Sequence, residues 1–367
     1  MKILHYINNL GSGGAEKLLV DILPLISGKG NTVHLLLANG NQNIKKYEDE
    51  LLKNNIRIID LKKSLYNPAQ IFNLISLIRK EKYDIVHAHL FPTQYWLAIA
   101  SFFISSKTKL IKTEHSVYNS RNRKPYLKLL EIIIYKRYST IIAITEMVNT
   151  VFTKWLNHNK IVTINNGVNL QEINSLKNSN LSNYDFIKND SFNILMVGRF
   201  DFIAKDQMSL IEAIHLIKNP NIKVFFAGEG PNLENVKEKV KDLGLQDCID
   251  FLGLRTDVYK LMSLVDLNVL STNKEGLSGV ALESLASGKP FIGSNVEGVF
   301  DIVPDSSYLF PPRSPRILAD KIIELKDNLL LREQNVRNAI MHVQKFDINK
   351  MVESYLIEYK NTLNTNN

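Results

Sequence analysis

The feature that most constrains this chain is an alternation of short apolar segments with amphipathic segments, which occurs twice and is interrupted once. In the first half, the apolar segments predict strands at 2–7, 32–38, 55–61, 84–87, 109–113, 141–144 and 161–164. Between them, apolar residues recur at helical spacing. Largely apolar strands that are separated by crossover helices are typical of a parallel sheet covered on both faces.

The alternation stops near Gly167 and resumes after Ser191. The segment in between is rich in Asn and Ser and predicts a linker over 167–191. Strands then follow at 193–197, 222–227, 249–252, 267–270 and 290–293, and the tail 316–363 is helical. We therefore predict an α/β protein with two doubly wound, Rossmann-like domains that face each other across a cleft. The first comprises 1–166 with the crossing C-terminal helix at about 345–367, and the second comprises 192–344.

Composition narrows the class of protein further. Apolar residues make up 45% and charged residues 22% of the chain, which is typical of a globular protein. No apolar run approaches the roughly 20 residues of a membrane-spanning helix. Cys248 is the single cysteine, which excludes an internal disulfide framework and a cysteine-built zinc site. We therefore expect a cytoplasmic protein.

The net charge of +8 is unevenly distributed. Residues 1–170 contain 23 Lys and Arg against 11 Asp and Glu, whereas residues 171–367 contain 22 against 26. The stretch from Ser105 to Arg137 alone has nine basic and two acidic residues. This asymmetry favours a local anionic partner, either a phosphate-bearing substrate or an anionic membrane surface at the inner face of the cytoplasmic membrane. Scattered solvated lysines and a nucleic-acid-binding protein are the alternatives, although a basic motif interleaved with aromatic residues is missing.

A predicted helix inside the basic stretch combines apolar and basic residues. It includes Tyr126, Lys128, Leu129, Ile133 and Tyr135. Such a surface fits anionic lipid headgroups, where an enzyme meets a lipid-linked saccharide. In the alternative interpretation, Leu129, Ile132 and Ile133 belong to the core and the lysines only solubilise the protein.

A glycine-rich turn follows the first predicted strand and opens the first helix. It reads Gly11-Ser-Gly-Gly-Ala-Glu16, and in a doubly wound domain this position presents backbone N–H groups to an anion. Glu16 stands where a dinucleotide fingerprint has its third glycine, and Asn39 follows the second strand instead of an acid. The turn therefore does not predict NAD binding, and a tight turn without a ligand remains an alternative.

The second half carries charged residues at the ends of predicted strands. Arg199 follows one strand and Lys205 comes six residues later, a pair of cations that suits a diphosphate but also fits an ordinary charged surface. Glu275 precedes a small-residue loop that starts a helix, where free N–H groups and the helix dipole favour an anion. Glu283 lies one turn inside this helix and is placed either to chelate a diol or to face solvent.

Five motifs together resemble glycosyltransferase family 4, and their order and spacing extend over essentially the whole chain. These motifs are Gly13-Gly-Ala-Glu16, Arg199 with Lys205, Ala227-Gly-Glu-Gly-Pro231, Phe251-Leu-Gly-Leu-Arg-Thr-Asp257-Val, and Glu275-x7-Glu283 with Ala286-Ser-Gly-Lys-Pro290. The family comprises retaining GT-B enzymes. The resemblance implies bacterial surface-polysaccharide biosynthesis, in which a hexose or N-acetylhexosamine passes from a nucleotide diphosphate sugar, foremost a UDP-sugar, to a glycan or lipid-linked saccharide. It implies neither a metal nor another cofactor.

The resemblance also implies roles for individual residues. The catalytic residues are Glu275, Arg199, Lys205 and His115, with the two cations holding the donor diphosphate in place of a metal. Glu283 meets the ribose hydroxyls, and Glu16 lies on the acceptor side. The remaining donor-binding residues are Gly13, Gly14, Leu254, Arg255, Val258, Gly276, Leu277, Ser278 and Gly279.

The sequence departs from the family pattern in two ways, and the histidines leave alternatives open. The common Glu-Gly-Phe-Gly-Leu-Pro reads Glu275-Gly-Leu-Ser-Gly-Val280 here, and Asp301 replaces the usual glutamate. His115 resembles a family position near the sugar C6 hydroxyl, with a structural histidine as the alternative. His87 and His89 have ligand-like spacing, but we expect no third ligand nearby and therefore predict no metal. A nucleotide-sugar epimerase of the same fold is the alternative enzyme.

Overall fold

The computed structural model describes residues 1–117, 121, 124–156, 160–176, 184–187 and 190–365. The chain divides into two compact units. The first unit is Met1–Gly167 with Ile348–Asn367, and the second is Val168–Asp347. Within the described ranges, no helix is both long and apolar enough to cross a membrane.

The first unit is built on a seven-stranded parallel sheet. Its strands are β1 (Lys2–Ile7), β2 (Thr32–Leu37), β3 (Arg57–Asp60), β4 (Ile85–His89), β5 (Lys109–Glu114), β6 (Thr140–Ala143) and β7 (Ile161–Thr163). They lie in the order β3-β2-β1-β4-β5-β6-β7. The strand order reverses between β1 and β4, and ligands of doubly wound domains bind outside the carboxyl ends of the strands at such a point. The connecting helices are α1 (Gly14–Gly28), α2 (Lys45–Lys53), α3 (Ala69–Glu81), α4 (Thr93–Ala100), α5 (Lys128–Tyr135) and α6 (Glu146–Leu156).

The second unit repeats this architecture with a six-stranded parallel sheet. Its strands are β8 (Phe192–Val197), β9 (Ile222–Ala227), β10 (Ile249–Gly253), β11 (Leu267–Leu270), β12 (Phe291–Ser294) and β13 (Leu309–Phe310), in the order β10-β9-β8-β11-β12-β13. Here the order reverses between β8 and β11. The helices are α7 (Leu170–Leu176), α8 (Gln207–Ile217), α9 (Leu233–Asp242), α10 (Val258–Leu264), α11 (Gly279–Ala286), α12 (Pro315–Asp327) and α13 (Leu329–Val343).

The last helix, α14 (Ile348–Asn364), belongs to the first unit. Its buried face includes Met351, Tyr355 and Tyr359, which share a hydrophobic core with Ile3 and Ile7 of β1. The spacing of these α14 residues by four positions places them on one face of the helix. The predicted doubly wound architecture and the return of the C-terminal helix are therefore confirmed.

Three segments differ from the sequence-based expectations. The predicted linker 167–191 includes α7, whose Leu170 and Ile173 are buried within the second unit, while 177–183 and 188–189 lie outside the described residues. The sequence did not predict strand β13, because its two residues are too few to show a run of apolar residues typical of a strand. The helical tail breaks between α12 and α13, where the Asn328 side chain accepts the Leu331 N–H at 3.0 Å and so caps the new helix.

Candidate active site

The loop after β8 carries both predicted cations of the second unit. Arg199 is exposed, whereas Lys205 is partly buried and its ammonium forms an ion pair with the Glu275 carboxylate. The loop after β8 is also joined to the loop after β11, which carries Glu275. Lys205 forms a backbone bridge with Thr272, and the Thr272 side-chain hydroxyl donates to the Ala204 carbonyl at 2.8 Å. Because β8 and β11 are neighbours in the sheet, residues that are 70 positions apart meet at their carboxyl ends.

The Ala227-Gly-Glu-Gly-Pro231 motif supports the same loop from the other side. The Phe200 N–H donates to the Glu229 carbonyl at 3.0 Å, and the Gly198 N–H donates to the Ala227 carbonyl at 3.0 Å. A Cβ atom at Gly228 would overlap the Gly198 carbonyl oxygen. Glycine is therefore required at this close approach, which holds the segment that presents Arg199.

The loop that joins Glu275 to α11 is held by a second turn. The Ser278 hydroxyl accepts the Ala281 N–H at 3.3 Å and caps α11, and the Ser278 N–H donates to the Gly298 carbonyl at 3.0 Å. Gly298 has a φ of +75°, and a Cβ there would overlap the Gly276 carbonyl. Asp301 accepts the Gly298 N–H at 3.1 Å. The shorter acid at 301 therefore stabilises the turn that supports the Glu275 loop.

The remaining predicted donor-binding residues of the second unit lie on α11 and in the loop before it, and in the segment from the end of β10 to the first residue of α10. Glu283 is partly buried on α11, Leu277 is buried, and Leu254 is exposed. Arg255 donates to both Asp257 carboxylate oxygens, at 2.8 and 2.5 Å, and these hydrogen bonds raise the pKa of Arg255. The Arg255 side chain is therefore held in a fixed orientation beside Val258, the first residue of α10.

In the first unit, the glycine-rich turn forms the start of α1. Gly13 is the N-cap and Gly14 is the first helical residue. The Glu16 carboxylate folds back against Gly13, where a Cβ atom would overlap it. An acidic side chain in this place stabilises the positive end of the helix dipole. Glu16 therefore lies beside Gly13 and Gly14 at the N-terminus of α1. A ligand anion that binds there would have to share the helix N-terminus with this carboxylate.

The histidines of the first unit form a buried cluster. His5 of β1 lies opposite His87 of β4, and His89 follows on the same side of the strand. Ligand atoms of these three rings lie within 4.8 Å of one another, close enough to hold a metal ion. The expectation that His87 and His89 lack a third ligand nearby is therefore wrong, because strand pairing brings in His5. The absence of a metal stays a prediction.

His115 follows β5 and is joined to this cluster by a hydrogen bond of 3.2 Å between its Nε2 and His89 Nδ1. Burial lowers the pKa of His5 to about 3 and that of His115 to about 4. The same cause lowers the pKa of His87 and His89 well below the ordinary value. All four rings are therefore neutral at physiological pH, which suits hydrogen bonding to uncharged hydroxyl groups.

Two charged residues of β5 were missed by the sequence analysis. Lys112 and Glu114 form an ion pair in the interior, and the Lys112 Nζ lies 3.8 Å from the Tyr135 ring centroid. Burial lowers the pKa of Lys112 to about 8, although Glu114 opposes this shift. Opposite charges two positions apart at the end of a predicted strand were the available signal. The pair lies directly before His115.

Helix α5 exposes three of its apolar side chains, whereas Ile132 is partly buried and Ile134 and Tyr135 are buried. Tyr126 before the helix is 75% exposed, Leu129 70%, Leu130 46% and Ile133 48%, so the interpretation of Leu129 and Ile133 as core residues is wrong. Lys124, Lys128 and Lys136 are exposed beside them. Arg121 instead packs inward, with its guanidinium 4.6 Å from the Phe91 ring centroid and 3.3 Å from Glu131. Arg123 lies outside the described residues.

Comparisons with known proteins show the family to which the chain belongs. A model of the family "Glycosyltransferase Family 4" matches residues 12–172, and a model of "Glycosyl transferases group 1" matches residues 180–342. The chain is a glycosyltransferase of the group 1, family 4 type. Its fold is the two-domain GT-B fold, and the family match favours a transferase over the epimerase alternative.

Similar proteins cover nearly the whole chain. A GalNAc-GalNAc-diNAcBac-PP-undecaprenol alpha-1,4-N-acetyl-D-galactosaminyltransferase of Campylobacter jejuni is 26% identical over 97% of both chains. An N-acetyl-alpha-D-glucosaminyl L-malate synthase of Bacillus anthracis is 22% identical over 96% of this chain and 94% of that protein. Among solved structures, Anabaena HepE in complex with UDP-glucose has a TM-score of 0.82 at 21% identity, over 98% and 100% of the two chains.

Proposed function

We propose that this glycosyltransferase moves a hexose or N-acetylhexosamine from a UDP-sugar to a lipid-linked saccharide, with retention of configuration and without a metal. The observation that carries the proposal is the meeting of Lys205 and Glu275 at the carboxyl ends of β8 and β11, next to the capped N-terminus of α11. The similarity to a structure that holds UDP-glucose and to a transferase named for an undecaprenol-linked acceptor supports the choice of donor and acceptor.

In the proposed reaction, the bond between the sugar C1 and the diphosphate oxygen breaks as the acceptor oxygen bonds to C1 on the same face. The proton of the acceptor hydroxyl passes to the departing phosphate oxygen. Arg199, Lys205 and the N-terminus of α11 stabilise the negative charge that develops on the diphosphate, and such preorganised charge is commonly the largest catalytic contribution. Glu275 orients Lys205 and contacts the sugar, and Glu283 binds the ribose hydroxyls.

The donor part of the proposal is tested with a charge-removing variant and a chelator. We expect Lys205→Met to lower turnover about 10²- to 10³-fold, because leaving-group charge is greatest in the transition state. Turnover is measured with UDP-sugars in the presence of EDTA. The matched control is Lys241→Met, which removes an exposed lysine from α9 of the same unit and leaves turnover unchanged. Turnover of Lys205→Met within a few fold of wild type would contradict the role of Lys205, and a loss of wild-type activity in EDTA that Mg²⁺ restores would contradict metal independence.

The acceptor part rests on the exposed α5 surface, namely Tyr126, Leu129, Leu130 and Ile133 with Lys124, Lys128 and Lys136. Apolar side chains that are bordered by lysines fit the boundary between headgroups and acyl chains of an anionic bilayer. Each surface cation contributes about 1 kcal/mol of attraction, screened within a Debye length. This surface would bring the enzyme to an acceptor that is anchored in lipid.

The α5 surface is tested by co-sedimentation with vesicles of anionic and of neutral phospholipids. We expect binding to anionic vesicles at low salt and little binding to neutral ones. Replacement of Lys124, Lys128 and Lys136 by glutamine should abolish binding while UDP binding persists. The control replaces Lys53, Lys80 and Lys82, which are exposed on the same unit and change the net charge equally. Equal loss of binding in both variants, or no loss in either, would favour a water-soluble acceptor such as the malate in the name of the Bacillus anthracis relative.

A further inference from the structure

A continuous series of hydrogen bonds in the first unit connects α14 to His115. It begins at the Tyr355 hydroxyl, which lies 3.3 Å from Thr113 Oγ1. Thr113 Oγ1 lies 2.8 Å from His87 Nε2, and His87 Nδ1 lies 2.7 Å from the Tyr359 hydroxyl. That hydroxyl lies 3.5 Å from His5 Nε2, His5 Nδ1 lies 3.0 Å from His89 Nε2, and His89 Nδ1 lies 3.2 Å from His115 Nε2.

Each group in this series carries a single proton for hydrogen bonding. Burial lowers the pKa of all four histidines, so each ring is neutral, with one nitrogen that donates and one that accepts. A tyrosine or threonine hydroxyl likewise donates one hydrogen bond. The direction of the first hydrogen bond therefore determines the direction of every later one.

Tyr355 sets this direction because its proton has one acceptor. The side chain is completely buried, and among the described residues Thr113 Oγ1 is the hydrogen-bond partner of its hydroxyl. Tyr355 therefore donates to Thr113, Thr113 to His87 Nε2, and His87 Nδ1–H to Tyr359. Tyr359 then donates to His5, His5 Nδ1–H to His89, and His89 Nδ1–H to His115 Nε2. The proton of the His115 ring consequently resides on Nδ1.

We propose that this series, which we call the tyrosine–histidine relay (Tyr355, Thr113, His87, Tyr359, His5, His89), fixes the tautomer of His115. His115 is thereby held as an Nδ1–H donor at the carboxyl end of β5. The residues of the relay are positioning residues, since they act through His115. Donation from Nδ1–H to an oxygen of the sugar nucleotide rests on the function proposed above, whereas the tautomer itself does not.

The reverse direction of hydrogen bonding is disfavoured because of the buried Tyr355 hydroxyl. It would leave the buried Tyr355 O–H without an acceptor within the described part of the chain. A buried donor without a partner has a penalty that corresponds to about a 5- to 150-fold preference for the forward direction. We therefore expect a single dominant tautomer of His115 in the wild-type protein.

The test is a long-range ¹H–¹⁵N correlation spectrum of the full chain labelled with ¹⁵N-histidine and recorded without substrate, with His115 assigned from a His115→Gln variant. We expect a protonated Nδ1 and a bare Nε2 in the wild type. In Thr113→Val, His87 Nε2 loses its partner in either direction, so both directions become allowed and both tautomers of His115 should appear. Tyr355→Phe should keep one tautomer, because the Thr113 hydroxyl then still has His87 Nε2 as the acceptor of its proton. The matched control is Tyr138→Phe, a buried tyrosine of the same unit whose hydroxyl donates to the Gln94 carbonyl outside the relay, and it should keep one tautomer.

Tyr359→Phe interrupts the relay between His87 and His5 and provides the same test if Thr113→Val does not fold. A bare Nδ1 in the wild type, or a single unchanged tautomer in both Thr113→Val and Tyr359→Phe, would overturn the proposal. Stoichiometric metal in the purified protein would do so as well, because it would occupy the ring lone pairs of His5, His87 and His89.

Turnover provides a second readout of the relay. If half of the molecules carry the wrong tautomer, kcat/KM of Thr113→Val falls about twofold, in proportion to the competent fraction, while Tyr138→Phe is unchanged. The spectra test the tautomer without any substrate, so their result is independent of the proposed function. A fully active His115→Ala variant with the expected spectra would contradict the contact of His115 with the sugar and leave the fixed tautomer standing.

Discussion

Lys205 and Glu275 show how single residues acquire a role from their neighbours. Either side chain alone is an unremarkable charge, but together they form an ion pair in which both are largely shielded from solvent. The Lys205 methylenes pack on Gly198, where a Cβ atom would lie 3.2 Å from Cδ. A lysine held in this way requires little further ordering when a diphosphate binds, which lowers the entropic cost of binding.

The burial of His5 makes the free energy of unfolding depend on pH. Burial lowers the pKa of His5 to about 3 in the folded protein, while the unfolded value is about 6.5. As pH falls below 6.5, the unfolded state takes up the proton first, so the folded state loses stability until pH reaches the folded pKa. We expect the His5 contribution to cost about 2 kcal/mol at pH 5 and almost nothing at pH 7.5. Urea unfolding of wild type and His5→Asn at both pH values measures this difference, and an identical pH dependence of the two proteins would contradict it.

At the scale of elements, loops that follow different strands hold one another through backbone contacts. The turn around Gly298 supports the loop between Glu275 and α11 through the Ser278 N–H and the close approach to Gly276. These two segments are joined although they follow different strands, β11 and β12. The position of Glu275 therefore depends on a turn that carries none of the predicted site residues.

Gly298→Ala tests this dependence. The positive φ and the overlap with the Gly276 carbonyl should lower the free energy of unfolding by about 1–3 kcal/mol. They should also displace the Glu275 loop, so that turnover falls. Gly279→Ala is the matched control for stability, because a Cβ there meets nothing within 4 Å. Urea unfolding and turnover with a UDP-sugar provide the two measurements. Wild-type stability of Gly298→Ala would show that the turn does not constrain the loop.

At the scale of the whole molecule, each unit has its own sheet and core. The second unit is continuous in sequence, Val168–Asp347, and contains Arg199, Lys205, Glu275 and Glu283. The first unit is completed by α14, whose Tyr355 and Tyr359 belong to its core. The second unit should therefore fold without the first, whereas the first unit needs the C-terminal segment.

We expect the fragment 168–347 to fold and to bind UDP within about tenfold of the full chain, a difference of about 1.4 kcal/mol. Calorimetric titration with UDP measures the affinity, and a UDP-dependent rise in melting temperature checks that the fragment is native. A folded fragment without UDP affinity would show that donor binding needs residues of the first unit, among which Gly13 and Gly14 are the candidates.

The sequence by itself determined the α/β class, the two doubly wound units, most strand positions and the glycosyltransferase family. Apolar periodicity reports burial of whole segments, and the glycine and charge motifs are local. The tertiary structure decided that His5 joins His87 and His89, that Lys205 pairs with Glu275, and that Leu129 and Ile133 of α5 are exposed. These features depend on which strands are neighbours and on which helix face meets the sheet, and local sequence patterns contain no information on either.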